Sequence, residues 1–307
     1  MADLSGGLGV DCWAFARRFD EVLYNEMNLA LAKAAEGNFK ELGISNIRVQ
    51  SKELKKGNVT EVLGGFAPDM LFLDPARRGA DGRKVFRLED CQPDVLALKE
   101  ELLEACPRLL LKLSPMADIS LVCKQLGNVS QVHVVEAEGE CKELLLLLER
   151  DYDGPSSLTL FASGAVAELA DGDAPAVAYA TALEGWLFEP GKGLLKAGAF
   201  DWPCTNFGLR KLGRHTHLYI SETPVPKELR PFGKVFRILE SAPLDKRSIK
   251  AFGQRYPRSE VTARNIPLSS DSLRTKLGVR SGGSVHLFGA KADALQENRL
   301  IACQDYD

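Results

Sequence analysis

The chain has 307 residues, 45% of them hydrophobic, and a formal net charge of −3, values of an ordinary soluble protein with room for two or three domains. Its seven cysteines show no C-x-x-C spacing and its four histidines lie far from them, which argues against a disulfide framework and against a structural zinc site. The longest aliphatic run, Leu144 to Leu148, is far shorter than the roughly 20 residues of a membrane span, and with no signal-like start a cytoplasmic location is expected.

In chain order, the first segment is Asp3-Leu4-Ser5-Gly6-Gly7-Leu8-Gly9-Val10-Asp11, a strand end running into a glycine-rich turn and a helix. Only two residues precede Asp3, too few for a full strand, so the chain is expected to lack its natural beginning and much of its first strand. Val22–Tyr24, Ile47–Val49, Met70–Leu73 and Leu109–Leu111 follow as strands, with Phe15–Phe19, Leu29–Leu42, Asp94–Ala105 and Ile119–Leu126 in helices between them. Gln131–Glu136 and Glu143–Glu149 then follow across Gly139 without a helix. This grammar predicts an α/β, Rossmann-like sheet ending in an antiparallel hairpin.

Asp151 to Pro155 is a turn-rich break. Beyond it His217–Ile220, Lys234–Ile238, Glu260–Asn265 and Val285–Phe288 read as strands, and Leu273–Leu277 as a helix capped by Ser269 or Ser270 and stopped at Gly278. The expected division is residues 1–152, a segment over 153–238, and a smaller α+β module over 239–307.

The glycines at 6, 7 and 9 let the backbone turn tightly and offer amide groups to a ligand. Glu26, 23 residues after Asp3 and at the end of the second strand, is placed to accept ribose hydroxyls, and Met27 to cover an adenine face. Asp74-Pro75-Ala76-Arg77-Arg78-Gly79 follows an apolar strand directly, so it projects beside the glycine loop at the carboxyl end of the sheet. There the Asp74 carboxylate can accept a hydrogen bond from an incoming nucleophile and Pro75 stiffens the loop. The alternative for Asp74 is an ion pair with Arg77 or Arg78.

These features together resemble the class I S-adenosylmethionine-dependent methyltransferases over residues 1–150. Asp3–Asp11, Asp74–Gly79, Lys112–Pro115 and Glu136–Leu145 are similar more narrowly to a bacterial methyltransferase family with a C-terminal THUMP-like domain. Trp186–Ile238 resembles that family's ferredoxin-like segment; Arg264–Leu268, Leu273–Leu277 and Gly282–Phe288 resemble its THUMP-like end. The resemblance implies S-adenosylmethionine as cofactor, with Asp3, Gly7, Gly9 and Asp11 framing its methionine part and Glu26 its ribose. It also implies a region ahead of the glycine loop. Ser5 departs from the usual first glycine, and Gln50-Ser51 stands where an acid often binds the adenine amine, leaving Ser51 for that contact.

Asp74-Pro75-Ala76-Arg77 also departs, lacking the ring that stacks an amino-bearing base in typical amino-group methyltransferases. It is closer to the Asp-Pro-Pro-Arg loop of uracil-C5 enzymes, but Leu113-Ser114-Pro115 puts no cysteine after the fifth strand, which argues against a covalent C5 mechanism.

Charge adds a second clue. Residues 1–185 carry 19 Lys and Arg against 30 Asp and Glu, and residues 186–307 carry 20 against 12. This contrast of −11 with +8 fits a basic half that meets a polyanion, or else chance variation between solvated surfaces. With the THUMP-like resemblance it suggests RNA as partner, with Arg264, Asn265, Arg274, Lys276 and Arg280 as candidate contacts. Arg78 joins Arg83, Lys84 and Arg87 in a second basic cluster beside the presumed active site. The leading expectation is direct, in-line methylation of structured RNA, with Asp74 orienting or deprotonating the acceptor and Arg77 or Arg78 positioning phosphate. A non-catalytic S-adenosylmethionine- and RNA-binding factor, a protein or small-molecule methyl acceptor, and an NAD-dependent oxidoreductase are the competing readings; the closing hairpin argues against the last.

Overall fold

The computed structural model describes residues 1–77, 88–169 and 177–306, except for the side chain of Arg77. The chain forms two compact units, Met1–Val135 with Cys141–Thr159, and Glu136–Glu140 with Leu160–Asp307.

In the first unit, β1 (Ala2–Asp3), α1 (Val10–Ala16), β2 (Val22–Asn25), α2 (Leu29–Glu41), β3 (Ile47–Gln50), α3 (Val59–Leu63) and β4 (Leu71–Leu73) alternate along the chain. Next come the short pair β5 (Ala76–Arg77) and β6 (Cys91–Gln92), then α4 (Val95–Ala105), β7 (Arg108–Leu113), α5 (Ile119–Leu126), β8 (Val129–Ala137) and β9 (Glu140–Glu149). The strands are ordered β8-β9-β7-β4-β1-β2-β3. β3, β2, β1, β4 and β7 are parallel, and β9 runs antiparallel to β7. The hairpin therefore turns back so that β9, not β8, lies beside β7.

Only two residues form β1, yet Ala2 pairs with Leu23 and Leu71, and Asp3 with Tyr24 and Phe72. Both are buried. The glycine loop consequently leaves from the middle of the sheet, the position where ligands gather in open α/β folds. Met1, Tyr24, Ala35, Phe39 and Phe72 pack as a core behind it. The first helix runs Val10–Ala16, its N-cap Gly9 in the left-handed conformation (φ 83°), so that most of the expected helical stretch Phe15–Phe19 lies beyond its end.

β10 (Ser157–Ala162) and β11 (Ala165–Glu168) precede the second sheet. That sheet is built from β12 (Trp186–Pro190), α6 (Lys192–Ala197), α7 (Trp202–Phe207), β13 (Arg210–Lys211), β14 (Tyr219–Ser221), β15 (Gly233–Pro243), α8 (Lys246–Arg255), β16 (Glu260–Arg264), α9 (Ser270–Leu277), β17 (Val285–Ala292) and β18 (Glu297–Asp305). Its order is β13-β14-β12-β15-β18-β17-β16.

Eleven-residue β15 pairs with β12 through Gly233–Arg237 and with β18 through Phe236–Pro243. The expected boundary at residue 238 thus falls inside one strand, and the two C-terminal segments share a sheet. The expected break near 152 lies a few residues before the end of the first unit at Thr159. Ser269 caps α9 by accepting from the Ser272 amide, and Gly278 ends it with φ 68°, as the sequence predicts.

Candidate active site

The glycine loop is held from three sides. Burial pushes the Asp3 carboxyl up to about 7; its Oδ1 accepts the Ser5 amide at 3.0 Å and its Oδ2 the Cys12 thiol at 3.3 Å. Burial likewise raises the Cys12 thiol, with Asp3 adding to the effect, so it stays protonated and donates. The Tyr24 hydroxyl donates to the Gly7 carbonyl at 2.5 Å, and the Gly7 amide donates to Glu26 Oε2 at 2.9 Å. Asp3 therefore braces the loop from behind through Ser5 and Cys12.

A raised folded-state value makes Asp3 a pH-dependent brace. Its contribution to stability is fully present below its usual 3.8 and is lost as pH rises through about 7, a span of the order of 4 kcal/mol. Thermal melts of wild type and Asp3→Asn at pH 5 and pH 8 are expected to differ accordingly, the variant gaining several degrees on wild type at the higher pH. A gap that stays constant with pH rules the effect out.

Ser5 links the glycine loop to the Asp74 loop: its Oγ accepts the Asp74 amide at 2.6 Å. Asp74 in turn pairs with Lys112, whose Nζ lies 2.9 Å from Asp74 Oδ2 and 2.6 Å from Asp11 Oδ2. Burial alone would lower this ammonium, but hydrogen bonds to Asp11 and Asp74 raise it well above its ordinary value. Glu143, on β9, belongs to the same electrostatic group; its carboxyl is raised by burial, against the pull of Lys112, with Asp11 and Asp74 adding to the rise. A chain of contacts thus runs from Asp3 through Ser5, Asp74 and Lys112 to Asp11, joining three strand ends.

A cavity of about 450 Å³ opens beside this chain. Ser5, Gly7, Glu26, Met27 and Asp74 line it, together with Leu31, Lys52, Leu54 and Gln92, which the sequence does not mark. Each oxygen of Glu26 accepts one backbone amide, Oε2 from Gly7 and Oε1 from Asn28 at 2.8 Å. A carboxylate has about four acceptor sites, so capacity remains for two further hydroxyl donors. Gly6, Gly9, Asp11, Ser51 and Pro75 do not line the cavity. Gly6 packs on Tyr24 and Gly9 caps α1, Ser51 Oγ donates to the Met27 carbonyl at 3.4 Å, and Pro75 is buried. Buried Asn25 fixes the nearby turn, donating to the Lys52 carbonyl and accepting from the Lys52 amide and Gln50.

Arg78, Arg83, Lys84 and Arg87 lie outside the described residues, as does the side chain of Arg77. Of the candidate RNA contacts, Arg264 is committed to Glu189 at 2.7 Å, and Arg274 to Asp271 at 2.9 Å with Glu260 at 4.0 Å. Asn265 sits at a strand end with φ 54°. Lys276 and Arg280 are exposed.

Comparison with known proteins adds the following. Residues 186–227 match a ferredoxin-like domain family and residues 233–305 a THUMP domain-like family. A crystal structure described as a "putative methyltransferase" from Porphyromonas gingivalis W83 superposes with a TM-score of 0.85 at 30% identity, covering all of this chain and 77% of that one. A Streptococcus thermophilus rRNA methylase gives a TM-score of 0.34 at 13% identity over 48% of this chain and 86% of that one. A Streptococcus mutans protein in complex with SAH gives 0.32 at 13% identity over the same shares. These last two similarities are too low to carry an argument. No curated protein matches the sequence.

Proposed function

The chain belongs to the same family as that Porphyromonas gingivalis protein, class I methyltransferases with ferredoxin-like and THUMP-like C-terminal domains, and on that premise we propose that it transfers a methyl group from S-adenosylmethionine to structured RNA. The observation that carries the reading is the Ser5–Asp74–Lys112–Asp11 chain of contacts, whose Ser5 and Asp74 line a cavity that also presents Glu26. The residues present fit the cofactor: Glu26 has acceptor capacity for a ribose diol, and Met27, Leu31 and Leu54 give apolar cover for a purine. When bound, S-adenosylmethionine would supply a methyl group that a correctly aimed acceptor lone pair takes as the carbon–sulfur bond breaks and the sulfur leaves as a neutral thioether.

The protein's part is to aim that lone pair. Ser5 and Lys112 hold the Asp74 loop against the glycine loop, so that the Asp74 carboxylate accepts a hydrogen bond from the acceptor and orients it. Its Oδ2 already accepts from Lys112, which favours orientation over proton abstraction. The RNA assignment rests on the THUMP domain-like match over 233–305 and on the +8 charge of residues 186–307.

Incubation of cellular RNA with labelled methyl donor is expected to label RNA with wild type and not with Asp74→Ala, while calorimetry shows both proteins binding the methyl donor. Unchanged activity in the variant would remove Asp74 from the mechanism. Methyl-donor binding by wild type without transfer to any RNA pool would favour the second reading, a binding factor that no longer catalyses; label on protein or small molecules alone would reassign the acceptor.

A further inference from the structure

Three lysines of the second unit converge on one cleft. α8 reads Lys-Arg-Ser-Ile-Lys-Ala-Phe-Gly-Gln-Arg and contains no acid. Ile249 and Phe252, with Tyr256 just beyond the helix, pack into a core with Leu273 and Leu277. Spacing by four then stacks Lys246, Lys250 and Gln254 in a separate row, rising ~6 Å per step. Gly253 sets α8 directly on the end of α9: a Cβ there would stand 2.0 Å from the Leu277 carbonyl oxygen. That close approach brings Lys276 opposite the row, and the two helices enclose a cleft of about 480 Å³ lined by all three lysines and Gln254 but by no acidic or aromatic residue.

The lysines also differ from several arginines of this unit. Arg255, Arg264, Arg274 and Arg299 are each matched by a carboxylate. Among the described residues no carboxylate pairs with Lys246, Lys250 or Lys276, and all three are exposed. Three unmatched ammonium groups facing one cleft favour a ligand with several closely spaced negative charges, and the neutral Gln254 amide adds a hydrogen-bond donor for phosphate or sugar oxygens. Without an aromatic ring the cleft has no platform on which to stack a base.

We propose that the α8–α9 cleft grips the RNA sugar-phosphate backbone, a sequence-independent contact that holds the substrate; this rests on the RNA reading above. It moves the RNA surface away from Arg264 and Arg274, which are already engaged by acids, and onto Lys246 and Lys250, with Lys276 retained.

Fluorescence anisotropy with a labelled mixed-sequence RNA hairpin, titrated at several salt concentrations, tests it. K246Q/K250Q/K276Q is expected to bind about tenfold or more weakly at low salt, and the slope of log affinity against log salt to fall by roughly 2 to 3. K227Q/K234Q/K291Q, which removes the same charge from elsewhere in the unit, is expected to stay near wild type. Melting curves confirm that the variants fold; if the first triple variant does not, K250Q alone is expected to lower the slope by about 1. Wild-type RNA binding left unchanged by the cleft substitutions overturns the cleft and leaves the RNA reading standing. So does an equal loss in the control triple variant. Wild type that binds no RNA, or binds only anionic phospholipid vesicles, overturns both.

Discussion

Lys112→Met is expected to lower methyl transfer roughly 100-fold, the penalty that a misplacement of about 1 Å carries, and to weaken methyl-donor binding as well. Lys112 is the one cation shared by Asp11 and Asp74 among the described residues, and only 18% of its side chain is exposed. Two carboxylate oxygens contacting one nitrogen at 2.6 and 2.9 Å lie within about 5.5 Å of each other. Without the ammonium they repel, with Glu143 adding to the field, and the Asp74 loop moves away from Ser5. Methionine keeps the length of the stem, so the loss reports the charge and not a cavity. Because Asp11 and Asp74 are each 41% exposed, solvent screens the pair and the melting temperature is expected to fall little, by the equivalent of about 1 kcal/mol. The diagnostic is Lys112→Met combined with Asp11→Asn. Removing one of the two repelling charges is expected to recover part of kcat, a coupling absent if the two side chains act independently. Equal and additive losses would sink the shared-cation account.

Gly6→Ala is the second large effect, on stability and methyl-donor binding together. A Cβ at Gly6 would stand 2.2 Å from Cε2 and 2.4 Å from Cδ2 of Tyr24. That ring has no room to yield: it is fully buried, sits edge-on to Phe39 at 5.7 Å between centroids, and is anchored through its hydroxyl to Gly7. The loop backbone must shift instead, at about 1–3 kcal/mol, carrying Gly7 away from Glu26. Calorimetry is expected to show methyl-donor affinity reduced by about tenfold or more and melting lowered by several degrees. Tyr24→Phe on top of Gly6→Ala is expected to bring no relief, because the overlap is with ring carbons and not with the hydroxyl. Recovery in that double variant would place the conflict elsewhere.

Much of this arrangement is legible in the sequence. The glycine loop, Glu26 and Asp74 each follow a short apolar strand, and in an open parallel sheet strand ends meet along one edge, so three distant segments can be assigned to one site from periodicity alone. Ser269, Leu273–Leu277 and Gly278 likewise carry their helix boundaries in their own chemistry. What periodicity cannot give is pairing across strands. Lys112 lies 101 residues from Asp11. Apart from opening the family-like segment Lys112–Pro115, its sequence signal is a lysine inside the apolar run Arg-Leu-Leu-Leu-Lys-Leu, a cation in a buried strand that needs a partner.

The same limit explains surroundings that the sequence does not show. Asp3 and Asp11 both belong to the opening motif, yet the sheet buries the first and leaves the second on the helix that follows. Arg264 and Arg274 look as available as Lys276 in a list of basic residues. They differ only because Glu189, Glu260 and Asp271 fold beside them.

The sequence by itself determined the alternating α/β order, the closing hairpin, the glycine loop with its acid partners, and a C-terminal α+β module, because each is written in local turn chemistry and hydrophobic period; the THUMP-like character of that module came from a family resemblance. Tertiary structure alone decided which carboxylates are buried, which cations are already neutralised, that β15 joins the two C-terminal segments in one sheet, and that Gly253 seats α8 on α9. Burial and charge matching depend on which residues from distant segments become neighbours, and that is a property of the folded chain.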